Sequence, residues 1–302
     1  MVLPSPRVSR VIVVVLDGLR ADAVPLLALR HVSRLASGGA ASLAAQTVAP
    51  SVTAAAMGSL LTGVRPADHG LTSDRFRIPR PRVALQPLPR VLAQHRIGSH
   101  AFLASVPFGY GAIATRLARM TGVTHATFRG RGAVEILAAA RPVLARESTG
   151  LFLLHWPDAD RAGHAHGWLS REYVAAARVM DEALGLLDVV TRASEDPDTL
   201  LVVMADHGGG GAVFRDHDSA HPHDRTIPLI LAGGRVVSGE LAPCSSLLDV
   251  PATVAWAMGV PVPAGYAGRA MVEAFIPAGS TEPAARPAIP AVAQRYAFVA
   301  PR

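Results

Sequence analysis

Short runs of β-branched residues alternate along this chain with longer stretches rich in alanine and leucine. The short runs are continuously apolar, as in strands buried on both faces, whereas the longer stretches repeat at helical spacing. This alternation predicts an α/β fold in which helices sandwich a mainly parallel central sheet. Core strands are predicted over residues 11–16, 100–104, 151–155, 200–204 and 227–231, and helices are predicted to begin near Ala23, Thr53, Leu88, Gly132, Ser170 and Ser246.

Half of the 302 residues are hydrophobic, so the chain can bury a large core. We predict a single domain over residues 1–275, followed by a proline- and alanine-rich arm over residues 276–302. No stretch approaches the roughly 20 apolar residues of a membrane span, and no cleavage site follows the first apolar run. These features favour a cytoplasmic protein with no membrane partner.

The charged residues and the histidines limit the classes of ligand that this chain can be expected to bind. The formal charge of +6 comes from scattered arginines without any lysine, which disfavours a nucleic-acid partner and suits attraction of an anionic small molecule. One local cluster, predicted to lie in a solvated loop, contains Arg75, Arg77, Arg80 and Arg82. The single cysteine, Cys244, excludes an internal disulfide and a thiolate cluster, so the 12 histidines and the carboxylates are the candidate metal ligands.

Polar residues end two of the predicted strands abruptly. Asp17 follows the run that ends at Leu16, and Asp206 and His207 follow the run that ends at Ala205. In open α/β sheets the ligand site lies beyond the carboxyl ends of the strands. A lone aspartate at such a junction is commonly a helix cap, but two of them with an adjacent histidine favour metal binding at one sheet edge.

A third strand leads into a further group of carboxylates and imidazoles. Asp160 and His164 are four residues apart and can share one face of a helical turn. Mixed carboxylate and imidazole ligands suit zinc or a similar divalent ion. Asp158 and His166 carry the same chemistry, but we rank them lower because turn capping or support of a ligand also explains them.

Hydroxyl groups precede an alanine-rich predicted helix. Ser51 and Thr53 lie at its start, where free backbone N–H groups and the helix dipole favour an anion. An ordinary N-cap is the alternative interpretation of these hydroxyls.

In this order, the segments resemble the alkaline phosphatase superfamily, particularly its type I phosphodiesterase/nucleotide pyrophosphatase branch. The matching positions, which lie within residues 10–272, are Asp17, Thr53 with Thr62 and Gly63, Pro66 to Gly70, Asp160 to His164, and Asp206 with His207. The resemblance implies a hydrolase that acts on a small-molecule phosphate ester through a phosphothreonine intermediate. Thr53 would be the nucleophile, with Ser51 as the alternative.

The same resemblance implies two divalent cations, with zinc favoured and manganese as the alternative. Asp17, Thr53, Asp206 and His207 would surround one cation. Asp160, His164 and a later histidine would surround the other, and we favour His217 over His221 and His223 for this last ligand.

The chain departs from the family pattern beside the nucleophile. Related phosphodiesterases often place an asparagine where this chain has Asp74, and a carboxylate there repels a dianion unless it is protonated, bound to metal or paired with Arg75. Asp74 and Arg75 are therefore candidate substrate-binding residues. The loops over residues 74–89 and 107–131, which carry Phe108, Tyr110, Arg116 and Phe128, are expected to shape the pocket.

Several functional alternatives stay open at this point. A phosphomonoesterase or phosphonate hydrolase of the same superfamily would share the cations and the nucleophile, and a metal-binding protein without turnover is a further alternative. The cysteine pattern that sulfatases modify is absent from the sequence, which disfavours a sulfatase. The sequence does not decide the substrate or the oligomeric state.

Overall fold

The computed structural model describes residues 5–74, 79–107 and 109–276. Within them, eight strands form one sheet. The strands are β1 (Arg10–Leu16), β2 (Ala40–Gln46), β3 (Ser99–Leu103), β4 (His125–Phe128), β5 (Gly150–Trp156), β6 (Thr199–Met204), β7 (Thr226–Gly233) and β8 (Gly239–Glu240). The helices are α1 (Ala23–Leu26), α2 (Arg30–Gly38), α3 (Thr53–Thr62), α4 (Pro66–His69), α5 (Leu88–Gln94), α6 (Gly111–Met120), α7 (Ala133–Arg146), α8 (Asp158–His166), α9 (Arg171–Thr191), α10 (Pro222–Arg225) and α11 (Asp249–Ala257).

The sheet is mainly parallel, which confirms the predicted fold class. Its spatial order is β4-β3-β5-β1-β6-β7-β2-β8. Among the described strands, β7 alone is reversed, since it pairs antiparallel with both β6 and β2. Every residue of β1, β5 and β6 is buried, so other elements cover both faces of the middle of the sheet. Continuous apolar runs are what such two-sided burial requires.

The structure confirms the five predicted core strands, and the six predicted helices begin within three residues of their expected positions. The prediction of a loop over residues 107–131 is wrong, because α6 and β4 lie there. Ile113, Leu117 and Met120 supply a helical repeat in α6, although all three side chains are exposed. The proposed arm over residues 276–302 lies almost entirely outside the described residues, so its boundary stays a prediction.

No helix in the described part of the chain combines the length and the apolar character that a membrane crossing needs.

One buried carboxylate joins the longest helix to a helix that follows the first strand. Asp181 of α9 is only 4% exposed, and its side chain accepts hydrogen bonds from the backbone N–H groups of His31 and Val32, at 3.0 and 2.8 Å. These donors belong to the first turn of α2, where intrahelical acceptors are lacking. A side chain from another helix therefore caps α2.

Replacing Asp181 with alanine is expected to lower the free energy of unfolding by about 1–3 kcal/mol, because two buried N–H groups lose their acceptor. Urea denaturation followed by circular dichroism measures the change. Glu182→Ala is the matched control. The exposed Glu182 side chain forms ion pairs with Arg30 and His31, and the loss of such surface pairs should leave stability near wild type. Equal losses in the two variants would contradict this account of α2.

Candidate metal and phosphoryl site

Three adjacent strands deliver polar residues to one edge of the sheet. β1 lies between β5 and β6. Asp17 follows β1, Asp206 and His207 lie just beyond the end of β6, and α8 begins two residues after β5. Because these strands are parallel, their carboxyl ends bring the side chains together.

Gly18 permits the close approach of α8 to the end of β1. Its φ of +72° lies in the left-handed region that favours glycine, and a Cβ atom at this position would lie 2.7 Å from the Cα of Asp160. The backbone N–H of Asp160 donates to the carbonyl of Asp17 at 3.0 Å. The Gly18 carbonyl accepts from the Trp168 indole at 2.9 Å and from the Tyr173 hydroxyl at 3.1 Å. The turn after β1 is therefore fixed by packing and by hydrogen bonds.

Asp17, Asp206 and His207 form a buried group, which we call the Asp17 cluster. The Nε2 atom of His207 lies 3.4 Å from Asp17 Oδ1 and 3.6 Å from Asp206 Oδ2. Thr53, the first residue of α3, places its Oγ1 3.1 Å from the same Nε2. The structure thus brings the predicted nucleophile to the predicted ligands of one cation.

Asp160, His164 and His217 form a second group beside the first, the Asp160 cluster. Asp160 Oδ1 lies 3.3 Å from His164 Nε2 and 3.7 Å from His217 Nε2. The two Nε2 atoms are 3.1 Å apart. The rings of His207 and His217 stack with centroids 3.8 Å apart, so the two clusters are in direct contact.

All three histidines are oriented in the same way. Each Nδ1 atom lies within hydrogen-bond distance of a backbone carbonyl, which fixes the proton on Nδ1 and leaves the Nε2 lone pair directed at the cluster. This arrangement prepares an imidazole to bind a metal through Nε2. The Nδ1 to carbonyl distances are 2.9 Å for His207 to Gly208, 3.0 Å for His164 to Arg215 and 2.6 Å for His217 to Ser51.

The loop that carries His217 is held by a buried carboxylate. Asp224, only 1% exposed, accepts from the Gly211 N–H at 2.8 Å and from the Ser219 hydroxyl. Ser51 closes the loop onto the start of α3, because its hydroxyl donates to the His217 carbonyl at 2.5 Å. These contacts fix the position of the His217 ring.

Burial and charge perturb the acids of the Asp17 cluster in opposite directions. Burial and the neighbouring carboxylates of Asp206 and Asp160 raise the pKa of Asp17 well above its usual range. Burial also acts to raise the pKa of Asp206, but His207 and His155 outweigh it and the net shift is downward. The pKa of His207 is raised because Asp206 and Asp160 outweigh the effect of burial. The cluster therefore stabilises positive charge.

The orphaned polar atoms of these clusters fit a divalent cation. Among the described residues, Asp17 Oδ1, Asp160 Oδ1 and Asp206 Oδ2 are buried without a hydrogen-bond partner. Buried carboxylate oxygens of this kind are costly unless a cation or donor compensates them. The Nε2 lone pairs of His164 and His217 also face each other, an arrangement that a shared cation stabilises. Carboxylate oxygens and imidazole nitrogens are zinc-type ligands.

His155 is a residue of the site that the sequence analysis did not select. It lies near the end of β5, and its Nε2 is 3.4 Å from Asp17 Oδ2 and 3.8 Å from Asp206 Oδ2. The strand register explains its position, because His155 pairs with Val15 on β1, two residues before Asp17. A histidine at that position on β5 lies beside Asp17, the residue that follows β1.

The other candidate residues take different positions. Asp74 is exposed and its Oδ1 accepts from the Ala54 N–H at 2.8 Å, directly beside Thr53. Arg75, its expected partner, lies outside the described residues. The hydroxyl of Ser51 faces backbone carbonyls, at His217 and Ser219, which separates its role from that of Thr53.

Four lower-ranked candidates lie outside the two clusters. Asp158 accepts from the Ala133 N–H at 2.8 Å and so caps α7. His166 is exposed in the last turn of α8. His221 caps α10 by accepting from the His223 N–H at 3.1 Å, and His223 lies 3.9 Å from Asp22. The structure therefore places His217, and neither His221 nor His223, beside Asp160 and His164.

Solved structures share this fold at low sequence identity, which supports the fold alone. Mouse ectonucleotide pyrophosphatase/phosphodiesterase 5 matches with a TM-score of 0.67 and 12% identity over 84% of this chain and 96% of that one. A lipoteichoic acid synthase from Listeria monocytogenes matches with a TM-score of 0.63 and 16% identity over 87% of this chain and 74% of that one. A 2-O GAG sulfatase matches with a TM-score of 0.66 and 14% identity over 89% of this chain and 74% of that one.

Sequence comparison identifies a partial relative and a family. The GPI ethanolamine phosphate transferase 1 of Gibberella zeae is 33% identical over 101 residues, which make up 33% of this chain and 10% of that protein. The chain therefore spans about a tenth of the length of this curated relative. The family described as type I phosphodiesterase / nucleotide pyrophosphatase matches residues 11–229, which include Thr53 and both clusters. The chain belongs to the type I phosphodiesterase/nucleotide pyrophosphatase family.

Proposed function

We propose that this protein hydrolyses a small-molecule phosphate diester, with Thr53 as nucleophile and two bound divalent cations, zinc in preference to manganese. The observation that carries the proposal is the position of the Thr53 hydroxyl. It lies at the start of α3, 3.1 Å from His207 Nε2, beside two groups of orphaned carboxylate oxygens and imidazole lone pairs. A hydroxyl so placed can be deprotonated and can approach a phosphorus atom.

Each cation has its own proposed ligands. One cation would be held by Asp17, Thr53, Asp206 and His207. The other cation would be held by Asp160, His164 and His217. When bound, such cations supply Lewis-acid stabilisation of the attacking, leaving and non-bridging phosphoryl oxygens. The protein residues hold the donors in place, because each histidine is fixed through Nδ1 and Asp160 is fixed through the turn at Gly18.

The proposed reaction has two steps. In the first, Thr53 Oγ bonds to phosphorus while the bond from phosphorus to the leaving oxygen breaks, and the hydroxyl proton departs with the alcohol. In the second, water attacks the phosphothreonine, its hydroxyl stays on phosphorus and its proton restores the threonine. The products of a diester are one alcohol and one phosphate monoester.

Asp74 supports a diester over a monoester. Its carboxylate accepts a hydrogen bond from the Ala54 N–H, next to Thr53 at the start of α3. This N–H is therefore not free to donate to a phosphoryl oxygen. A phosphate monoester dianion is repelled by this carboxylate more strongly than the monoanion of a diester. The mouse protein supports the choice of a threonine nucleophile, since its structure is that of an inactive threonine-to-alanine variant in complex with AMP.

The zinc-loaded protein is expected to hydrolyse methyl 4-nitrophenyl phosphate, a diester, with a higher kcat/KM than 4-nitrophenyl phosphate, a monoester. Release of nitrophenolate measures both rates, and manganese and a chelator complete the comparison. A chelator-sensitive preference for the monoester would replace the diesterase assignment with a phosphomonoesterase. Two bound cations without turnover of either ester would favour the non-enzymatic alternative.

Thr53→Ala is expected to lower kcat by about a thousandfold or more, because it removes the attacking oxygen. Metal content, measured by mass spectrometry, should stay near wild type since the carboxylates and imidazoles remain. Thr53→Ser is the matched control, because it keeps a hydroxyl and should keep part of the activity. Acid quenching during turnover should trap a phosphoryl group on Thr53 of the wild type. Wild-type rates in a metal-loaded Thr53→Ala protein would exclude this nucleophile.

Removal of metal is expected to lower the thermal unfolding midpoint, because a ligand that binds only the folded chain stabilises it by about 2.7 kcal/mol at one hundred times its Kd. Differential scanning calorimetry with chelator and then with added zinc measures the shift. Asp206→Asn should reduce the response to zinc, since Asp206 is fully buried in the Asp17 cluster. Asp198→Asn, at an exposed aspartate outside both clusters, should keep it. An unchanged zinc response in Asp206→Asn would contradict the ligand assignment.

A further inference from the structure

An apolar groove begins at the proposed nucleophile and runs away from both clusters. It has a volume of about 350 Å³ and is lined by residues of α3, α6, β3, β4 and β5. Thr53 and His155 lie at one end of its wall, and the rest of the described lining is almost wholly apolar. The apolar side chains that define it include Met57, Leu61, Leu103, Leu117, Phe128 and Leu153. We call it the α3–α6 groove.

The polarity of the groove changes along its elements in a regular way. Thr53, Met57 and Leu61 recur every four residues and therefore share one face of α3. Leu153 and His155 alternate along β5 and share one face of the sheet. In both elements the residue at the clusters is polar, and the residues farther away are apolar. The groove thus suits a molecule with a charged head and an apolar tail.

The outer wall of the groove is an unusually exposed apolar helix. No residue of α6 is fully buried, yet Leu117 lines the groove and is 51% exposed. Ile113 and Met120 lie on the same side of the helix as Leu117 and are 52% and 60% exposed. A concentrated apolar surface of this kind commonly marks a ligand-binding site. Leu117 joins this apolar surface to the groove that reaches Thr53.

We propose that the substrate is an amphiphilic phosphate ester whose aliphatic chain lies in the α3–α6 groove while its phosphoryl group lies at Thr53. The inference rests on the proposed function, because it takes Thr53 as the reacting residue. The chemistry of the walls favours a hydrocarbon chain over a nucleoside. Aliphatic side chains dominate the described lining, and away from the Thr53 end the polar groups are confined to Thr121. A nucleobase and its sugar would lose hydrogen bonds to water there without regaining them.

A series of 4-nitrophenyl alkyl phosphates with methyl, butyl and octyl chains tests the proposal on the zinc-loaded protein. All three esters share one leaving group and are used below their aggregation concentrations. Full burial of a methylene corresponds to about a fourfold gain, from about 0.8 kcal/mol per group. We therefore expect kcat/KM to rise at least about tenfold from the methyl to the butyl ester, with a further rise for the octyl ester.

The variant Leu117→Gln makes the groove polar at a half-exposed position, where a polar side chain can still reach water. It should reduce the dependence of kcat/KM on chain length severalfold. Leu186→Gln is the matched control, because Leu186 is a 46% exposed leucine on α9 that does not line the groove. This control should keep the full dependence on chain length.

Calorimetric titration with methylphosphonate and octylphosphonate separates binding from turnover. The octyl compound should bind at least about tenfold more tightly, and Leu117→Gln should remove most of that difference. Equal binding together with rates independent of chain length would overturn the groove while leaving the diesterase intact. Tight, Leu117-dependent binding of octylphosphonate without hydrolysis of any ester would support the groove and defeat the proposed function. A higher kcat/KM for 4-nitrophenyl thymidine phosphate than for the octyl ester would also overturn the aliphatic assignment.

Discussion

The burial of negative charge at one sheet edge is the constraint on which the rest of this structure depends. Asp17 and Asp206 follow adjacent parallel strands and are 3% and 0% exposed. Two carboxylates removed from water are costly unless positive charge and hydrogen-bond donors surround them. The chain supplies part of this compensation through His207, His155 and the Gly18 N–H, which donates to Asp206 at 3.2 Å. In our account a cation supplies the rest.

Much of the surrounding structure serves to hold the ligands in place. Gly18 lets α8 approach closely enough for the Asp160 cluster to lie beside the Asp17 cluster, and Trp168 and Tyr173 fix that turn through hydrogen bonds to the Gly18 carbonyl. The loop between β6 and α10 places the His217 ring against the His207 ring, and the Asp224 carboxylate holds this loop. The stacked rings of His207 and His217 therefore form the contact between the two clusters. Thr53 lies at this junction, where α3 begins.

The strength of the sequence signal differed between elements. β1, β5 and β6 were predictable, because burial on both faces demands continuous apolar runs. β2 was not, since its alanine-rich sequence has little intrinsic strand preference and its strand conformation comes from pairing with β7. The sequence predicts a loop where α6 lies, because the apolar repeat of α6 is exposed and no core face identifies the helix.

The candidate site was predictable to a similar degree, and for similar reasons. Asp17, Asp206 and His207 could be grouped because parallel strands end at one edge. The choice of His217 over His221 and His223 depended on the resemblance to a family, and only the structure shows which ring lies beside Asp160. His155 was missed because a polar residue inside a strand carries no local signal of what lies across the sheet. The capping role of Asp74 toward Ala54 depends on chain folding over twenty residues.

The protein combines a strongly polar centre with an apolar groove that starts at the same threonine. Our central claim is that the Asp17 and Asp160 clusters are two cation sites sharing one reacting hydroxyl. Anomalous X-ray scattering from crystals of the zinc-loaded protein, measured on both sides of the zinc absorption edge, tests this claim most directly. The account predicts two peaks, one bonded to Asp17, Asp206 and His207 and one to Asp160, His164 and His217. A zinc-saturated protein with no peak at one of these clusters would contradict it.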